Sequence, residues 1–162
     1  MPPDQGHFVA LLAAAKTGSG WAFERLFHAY APRVSNYLRA RGSAEPDELT
    51  NDVFVAVFRS LNRFSGDEAA FRSWLFTIAR NRLVDERRRR ARRVETVSED
   101  FTDTVEVPGG DVEGEALANL GDAWAVGVLA RLAPDQRDVL LLRILADLTI
   151  EQIAQLLGKR PG

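Results

Sequence analysis

The chain has 162 residues, of which 46% are hydrophobic and 27% are charged, and its formal net charge at pH 7 is −2. It contains no cysteine and two histidines, which excludes thiol catalysis, disulfides and Cys/His zinc sites. No apolar run approaches the roughly 20 residues of a membrane span, and the N-terminal segment lacks the basic start and apolar stretch of a signal peptide. We therefore expect a globular, cytoplasmic protein that does not insert into a membrane, with one domain or two small ones.

Charge divides the chain into three parts. Residues 1–93 carry 16 basic and 10 acidic side chains, residues 94–130 carry 9 acidic and no basic ones, and residues 131–162 carry 5 basic and 4 acidic ones. A basic block followed by an acidic strip with a Pro-Gly-Gly turn is typical of a folded unit directed at a polyanion and of a loosely structured linker. We predict a folded unit over 1–93, a flexible acidic linker over 94–120 and a second folded unit over 121–162.

The periodicity of the N-terminal unit is helical, with no convincing strand. An amphipathic segment runs from about Trp21 to Leu38, with Pro32 as a kink or boundary and Gly42 as a stop. The next segment, DELTNDVFVAVFRSL, places Leu49 and Val53 on an apolar stripe that we assign to the core. Its other face mixes acidic, amide and aromatic side chains: Asp47, Asn51, Phe54 and Phe58. Those two aromatic side chains must meet either another helix or a partner.

A loop with the sequence NRFSGDEAA leads into a helix whose two halves differ. Its anchoring face is predicted to carry Phe71, Trp74, Leu75 and Ile78, and its opposite face carries Ser73, Thr77, Arg80, Asn81 and Val84. Small hydroxyls beside an arginine and an asparagine suit close approach to a nucleic-acid backbone or base edge. The following arginines, from Arg87 to Arg90, predict a phosphate-binding tail. A solvated helix end, where arginines complement the helix dipole, is the alternative. The N-terminal unit is thus predicted to be an all-α bundle of three or four helices.

The C-terminal unit has the pattern of an incomplete helix-turn-helix. A helix is predicted from about Pro134 to Ala146, followed by a turn and a second helix that starts at Thr149. Thr149 and Gln152 form a capping-box pattern. The sequence ends at Gly162, before a recognition helix, so we expect this chain to be truncated within the motif and not to read base edges in the usual helix-turn-helix geometry.

Together these segments resemble a known family. The run from Asp47 to Arg90 resembles the second conserved region of bacterial RNA polymerase sigma factors, specifically the extracytoplasmic-function (ECF) group of the sigma-70 family. The C-terminal unit is similar to the fourth conserved region without its recognition helix. Asn51 stands where the family more usually has glutamine.

The resemblance implies a transcription initiation factor and assigns a role to each segment. Binding of core RNA polymerase is implied for Asp47, Glu48, Asn51, Asp52, Phe54 and Phe58. Contact with the minus-ten element of promoter DNA is implied for Phe64, Ser65, Gly66, Asp67, Arg72, Ser73, Trp74, Thr77, Arg80, Asn81, Arg87, Arg88, Arg89 and Arg90. The loop NRFSG resembles the family's loop that captures a flipped base. Control by an anti-sigma factor is also implied, with no cofactor, no metal and no catalytic residue.

Two other functions stay open at this stage. A stand-alone helical regulator that binds nucleic acid would need only the basic face, and it would have no use for the acidic, aromatic face of the Asp47 to Phe54 segment. A small helical enzyme is disfavoured, because the carboxylate pairs in the sequence have no nucleophile, metal cluster or phosphate loop beside them.

Overall fold

The computed structural model describes residues 5–97 and 128–160. Every regular element within these ranges is helical, which confirms the all-α prediction. The elements are α1 (Gln5–Lys16), α2 (Gly20–Ala40), α3 (Pro46–Ser60), a 3-10 turn (Leu61–Arg63), α4 (Glu68–Val97), α5 (Pro134–Leu145) and α6 (Ile150–Leu157). Residues 128–131 are helical as well.

The helix α2 passes through Pro32 without ending, so the proline is not a boundary. The helix stops where the sequence predicts, because Gly42 adopts a positive φ of 82°. This left-handed conformation lets the amide of Gly42 donate to the carbonyl of Arg39 at 3.0 Å, and the amide of Ser43 donate to that of Leu38 at 3.0 Å. The chain can then reverse into α3, which packs against α2.

The core of the N-terminal bundle lies between α2, α3 and α4. Leu49 and Val53 of α3 are buried, as predicted. The anchoring face of α4 differs from the prediction, since Trp74 and Ile78 are only partly buried whereas Phe76 is fully buried. The ring of Phe76 packs edge-on against Tyr37 of α2, with 5.6 Å between the ring centroids. The α4 helix therefore buries side chains over a wider arc than a single stripe.

The described part of the C-terminal unit packs on this bundle. Its buried side chains belong to the same apolar cluster as those of the N-terminal unit: Leu129, Leu141, Leu142, Leu145, Ala146, Leu148 and Ile153. The predicted capping box of α6 is confirmed, because Thr149 Oγ1 accepts from the Gln152 amide at 3.2 Å and Gln152 Oε1 accepts from the Thr149 amide at 3.0 Å. Helix α5 contacts α2, and α6 contacts α4.

The boundary predicted between the first unit and the linker needs one correction. Residues 94–97 belong to α4, which continues four residues beyond the predicted end of the N-terminal unit. The remainder of the predicted linker, residues 98–120, lies outside the described residues.

Candidate nucleic-acid interface

The polar face predicted for α4 is assembled on one side of the helix. Ser73 and Thr77 are partly exposed and Asn81 is exposed, one helical turn after another. Thr77 Oγ1 donates to the Ser73 carbonyl at 2.7 Å, which leaves the hydroxyl oxygen able to accept a further hydrogen bond. Arg80 is 32% exposed at its side chain, and its Nε lies 3.8 Å from Asp138 Oδ2 of α5. The C-terminal unit therefore already engages one of the predicted DNA contacts.

The loop before α4 is divided between surface and core. Ser65, Gly66 and Asp67 are exposed, but Phe64 is only 8% exposed. The Phe64 ring stacks on Trp74 of α4 with 4.9 Å between centroids and 21° between planes. In this conformation each of the two rings has one face against the other. Contact of Phe64 and Trp74 with DNA stays a prediction.

Two backbone features fix the shape of this loop. Asp67 Oδ1 accepts from the Ala70 amide at 2.8 Å, which satisfies an orphan donor at the start of α4. Gly66 has a φ of 152°, and a Cβ at this position would lie 2.8 Å from the Cβ of Ala70. A side chain at position 66 would therefore force the loop away from α4.

The arginine tail is divided between packing and solvent. Arg87 Nη2 donates to the Arg41 carbonyl, and Arg90 Nη2 donates to the Gly42 carbonyl at 3.3 Å. These two arginines bind carbonyls that follow the end of α2. Arg88 and Arg89 are exposed. The contact of these four side chains with phosphates stays a prediction.

The first half of α3 has a concentrated negative surface. Asp47, Glu48, Asn51 and Asp52 are all exposed, as an interface with a basic partner requires. Asp47 Oδ1 accepts from Ser35 Oγ at 2.8 Å and lies 3.4 Å from Arg39 Nη2. A hydrogen bond with the neighbouring Glu45 carboxyl raises the pKa of Glu48 above its usual value. Acidic side chains in this first turn also complement the positive end of the helix dipole.

The aromatic side chains of α3 face the core of the bundle. Phe54 is 2% exposed and packs edge-on against Phe27 of α2, with 5.0 Å between centroids. Phe58 is partly buried and lies 4.6 Å from Phe23. Of the two alternatives that the sequence left open, the structure shows packing against another helix, and contact of Phe54 and Phe58 with polymerase stays a prediction.

Sequence analysis missed the polar cluster that joins the two units. Tyr37 of α2 and Arg41, which directly follows α2, meet Asp138 of α5, and all three side chains are buried. One signal was present, because Asp138 lies three and four residues before Leu141 and Leu142 on the apolar stripe of α5. A carboxylate on such a stripe needs a buried partner, although the sequence does not say which one.

Two negative findings apply to residues 5–97 and 128–160. No helix there is long and apolar enough to span a membrane. No group of three or more His, Cys, Asp or Glu side chains in the same ranges could hold a metal ion.

Comparison with known proteins identifies the family from both parts of the chain. Residues 26–93 match Sigma-70 region 2, and residues 124–162 match Sigma-70, region 4. The ECF RNA polymerase sigma factor ShbA of Streptomyces griseus subsp. griseus is 30% identical over 162 residues, an alignment that covers 94% of this chain and 85% of ShbA. The ECF RNA polymerase sigma factor BldN of Streptomyces coelicolor is 30% identical over 161 residues, which cover 98% of this chain but 61% of BldN.

A solved structure supports the same assignment. The structure of CnrH in complex with the cytosolic domain of CnrY matches with a TM-score of 0.59 and 25% identity, over 93% of this chain and 82% of that chain. The RNA polymerase sigma factor CnrH of Cupriavidus metallidurans is 30% identical to this chain over 157 residues. The chain belongs to the extracytoplasmic-function group of the sigma-70 family of bacterial RNA polymerase sigma factors.

Proposed function

We propose that the chain is a transcription initiation factor that binds core RNA polymerase through α3 and reads the minus-ten promoter element through α4. One observation carries this proposal. The same bundle presents an exposed acidic face at the start of α3 and a partly exposed face of hydroxyl, amide and arginine groups on α4. The first suits a basic protein surface, and the second suits DNA.

Docking on the polymerase is assigned to Asp47, Glu48, Asn51 and Asp52. Their carboxylate and amide groups would meet basic groups on the largest subunit of the enzyme. Phe54 and Phe58 have a different part in this proposal, because they hold α3 against α2 and so fix the direction in which the acidic face points.

Promoter reading is assigned to the α4 face and to the loop before it. Asn81 is the residue best suited to base discrimination, since its amide both donates and accepts hydrogen bonds and is exposed. Ser65, Gly66 and Asp67 would enclose one base extruded from the non-template strand. The hydrogen bonds to that base would offset the few kcal/mol needed to unpair it. Arg88 and Arg89 would contact phosphates.

The proposal extends to the regulation of this chain and to its location in the cell. The matching structure contains CnrH together with the cytosolic domain of CnrY, and we propose that this chain is likewise held by an anti-sigma factor in the cytoplasm. We assign no catalytic residue, because promoter selection requires only binding and DNA melting. A stand-alone nucleic-acid-binding regulator is the second candidate, and the acidic face of α3 argues against it.

The test compares a double charge reversal on α3 with a control double charge reversal on α2 and α6. Glu48→Lys with Asp52→Lys should weaken binding to core polymerase by at least about tenfold, because each reversal turns an attraction into a repulsion. The control, Glu24→Lys with Glu151→Lys, makes the same charge change on exposed positions of α2 and α6. Glu48 and Glu151 both lie in the first turn of their helices, so the loss of dipole compensation is matched. Binding is measured by pull-down on core enzyme, with circular dichroism as the folding check.

Two results would contradict the docking assignment. The first is that a folded Glu48→Lys/Asp52→Lys variant retains full polymerase binding. The second is that the control pair loses as much binding as the test pair, since the effect would then reflect net charge and not the α3 surface.

A further inference from the structure

A hydrogen bond joins α1 to the loop before α4. Lys16, in the last turn of α1, donates from Nζ to the backbone carbonyl of Phe64. The contact is partly buried and connects residues that are 48 positions apart in the sequence. Phe64 directly precedes residues 65–67, here called the capture loop, which are exposed and are proposed above to enclose an extruded base.

The end of α1 holds Lys16 in a defined place. Gly18 adopts a positive φ of 86° and closes the helix. Its amide donates to the Ala15 carbonyl at 3.0 Å, and the Ser19 amide donates to the Ala14 carbonyl at 3.1 Å. Ala15 is buried at 1% exposure. The backbone on both sides of Lys16 is therefore fixed, and the lysine side chain extends from a rigid base.

Aromatic contacts join α1 to the same loop. The ring centroid of Phe8 in α1 lies 5.5 Å from that of Phe71 in α4, and the Phe71 centroid lies 5.6 Å from that of Phe64. The Phe64 ring is close to the capture loop, since a Cβ at Gly66 would lie 3.2 Å from Phe64 Cζ. Helix α1 thus supports Phe64 through its carbonyl and, by way of Phe71, through its ring.

Building on the proposed function, we propose that Lys16 is a positioning residue for base capture, which fixes the Phe64 carbonyl and thereby the shape of the capture loop. An ammonium group donates a charge-assisted hydrogen bond, which is stronger than a neutral one. A lysine that only complemented the dipole of α1 would stabilise that helix without affecting the loop. Helix α1 precedes residues 26–93, which match Sigma-70 region 2, so the base-capture site extends to a helix outside that match.

The first test asks whether Lys16 holds the loop in the free chain. Trp74 stacks on Phe64, so the ring current of Phe64 should shift the fluorine resonance of 5-fluorotryptophan at position 74. Lys16→Met removes the donor and should move this resonance toward its position in the unfolded chain, whereas Lys16→Arg keeps a charged donor and should leave it in place. Trp74→Phe assigns the resonance, and Trp21, which is 57% exposed, provides an internal reference.

The second test measures base capture in the holoenzyme. A forked, fluorescein-labelled promoter fragment is selected from random DNA with the unmodified holoenzyme, and abasic substitutions in its non-template strand locate the captured base. The ratio of affinities for the intact and abasic fragments, measured by anisotropy, reports capture because the phosphates are the same in both. Lys16→Met should lower this ratio by roughly tenfold, as the loss of one hydrogen bond to a charged group allows, and Lys16→Arg should preserve it.

The matched control is Arg59→Met. Arg59 is exposed in the last turn of α3, as Lys16 is placed in the last turn of α1, so both variants remove one positive charge from a helix C-terminus. Arg59→Met should leave the affinity ratio and the Trp74 resonance unchanged. Circular dichroism checks folding, and Lys16→Ala, which keeps a strong helix former in α1, replaces Lys16→Met if that variant does not fold.

The outcomes separate the role of Lys16 from the proposed function. A ratio of one for every abasic position in the unmodified holoenzyme would refute base capture itself, and with it the part of Lys16 in it. In a holoenzyme that does discriminate, an unchanged ratio in Lys16→Met, or an equal fall in Arg59→Met, would overturn the role of Lys16 alone. An unchanged Trp74 resonance in Lys16→Met would overturn it as well, since Lys16 would then not hold the loop.

Discussion

At the scale of single residues, Tyr37 connects the apolar core to the polar cluster. Its ring packs on Phe76, while its hydroxyl donates to Asp138. Burial, together with the negative charge of Asp138 and this hydrogen bond, raises the pKa of Tyr37 well above its usual value. Tyr30 is similar, because burial and its hydrogen bond to Glu68 at 2.6 Å raise its pKa as well. Both hydroxyl groups are held in the neutral form by the fold.

These tyrosines give the protein a predictable response to alkaline pH. The chain contains two tyrosines, and their folded-state pKa values are both raised above the value of about 10 in an unfolded chain. A raised pKa contributes stability that is fully present below about pH 10 and declines as the pH rises above it. We expect almost no tyrosinate absorbance at 295 nm near pH 11 while the helical circular dichroism persists, and joint release of both side chains on unfolding.

The chain unfolded in guanidinium chloride provides the reference, and its two tyrosine side chains should titrate near pH 10. Tyr37→Phe should halve the tyrosinate absorbance that appears when the folded chain is unfolded at alkaline pH. Gradual ionisation near pH 10 in a chain that still shows full helical dichroism would contradict the burial of these hydroxyl groups.

At the scale of helices, α4 has two parts with different side chains. Ser73, Thr77 and Asn81 lie on its polar face, whereas the arginines after position 86 are either packed on the end of α2 or exposed. Both parts belong to one helix, which runs for 30 residues from Glu68 to Val97. The first part is anchored by Phe71 and Leu75, so its polar groups are held in fixed positions.

The two parts of α4 should differ in what they recognise. Asn81→Ala in the holoenzyme should weaken binding to the preferred promoter by about 1–3 kcal/mol more than binding to a scrambled sequence, if the amide reads a base. The measurement is a titration of both DNAs across a salt series. Equal losses on both sequences would make this face a phosphate clamp and would end the base-reading assignment.

The matched control for this prediction is Arg88→Ala with Arg89→Ala. These side chains are exposed, so their removal should leave the fold intact and weaken binding to all sequences alike. The salt dependence should flatten by roughly 2 units of slope. Arg87 and Arg90 are less suitable, because their contacts with the Arg41 and Gly42 carbonyls make them part of the packing between α2 and α4.

At the scale of the whole molecule, local patterns predict the helices better than they predict the contacts between them. The N-termini of α3 and α6 follow from local chemistry. Pro46 stands at the start of α3, and the Thr149–Gln152 capping box precedes α6. Burial of Phe76 was missed and the partner of Phe54 was left open, because a helix in a bundle is covered from several directions and buries more than one stripe. Periodicity alone cannot show how wide the buried arc is.

The contact between the two units could not be predicted for a further reason. Asp138 on the apolar stripe of α5 indicates that some buried partner exists. Its partners are distant in sequence, because Tyr37 lies on α2, Arg41 directly follows α2, and Arg80 lies on α4. In the charge count along the sequence, Arg41 and Arg80 are two of the basic side chains of residues 1–93, and the count does not show that they have an acidic partner. Their pairing with an acid of the other unit is a property of the tertiary structure.

The shared core predicts how the whole chain unfolds. Buried side chains of α2, α4, α5 and α6 form one apolar cluster, so the two units should lose their structure together in a single thermal transition measured by circular dichroism at 222 nm. Asp138→Arg places a third positive charge beside Arg41 and Arg80, which should separate the units and divide the transition into two. Asp135→Arg has the same charge change and should keep a single transition. Two transitions in the unmodified chain would mean that the contact between α2 and α5 contributes little to stability.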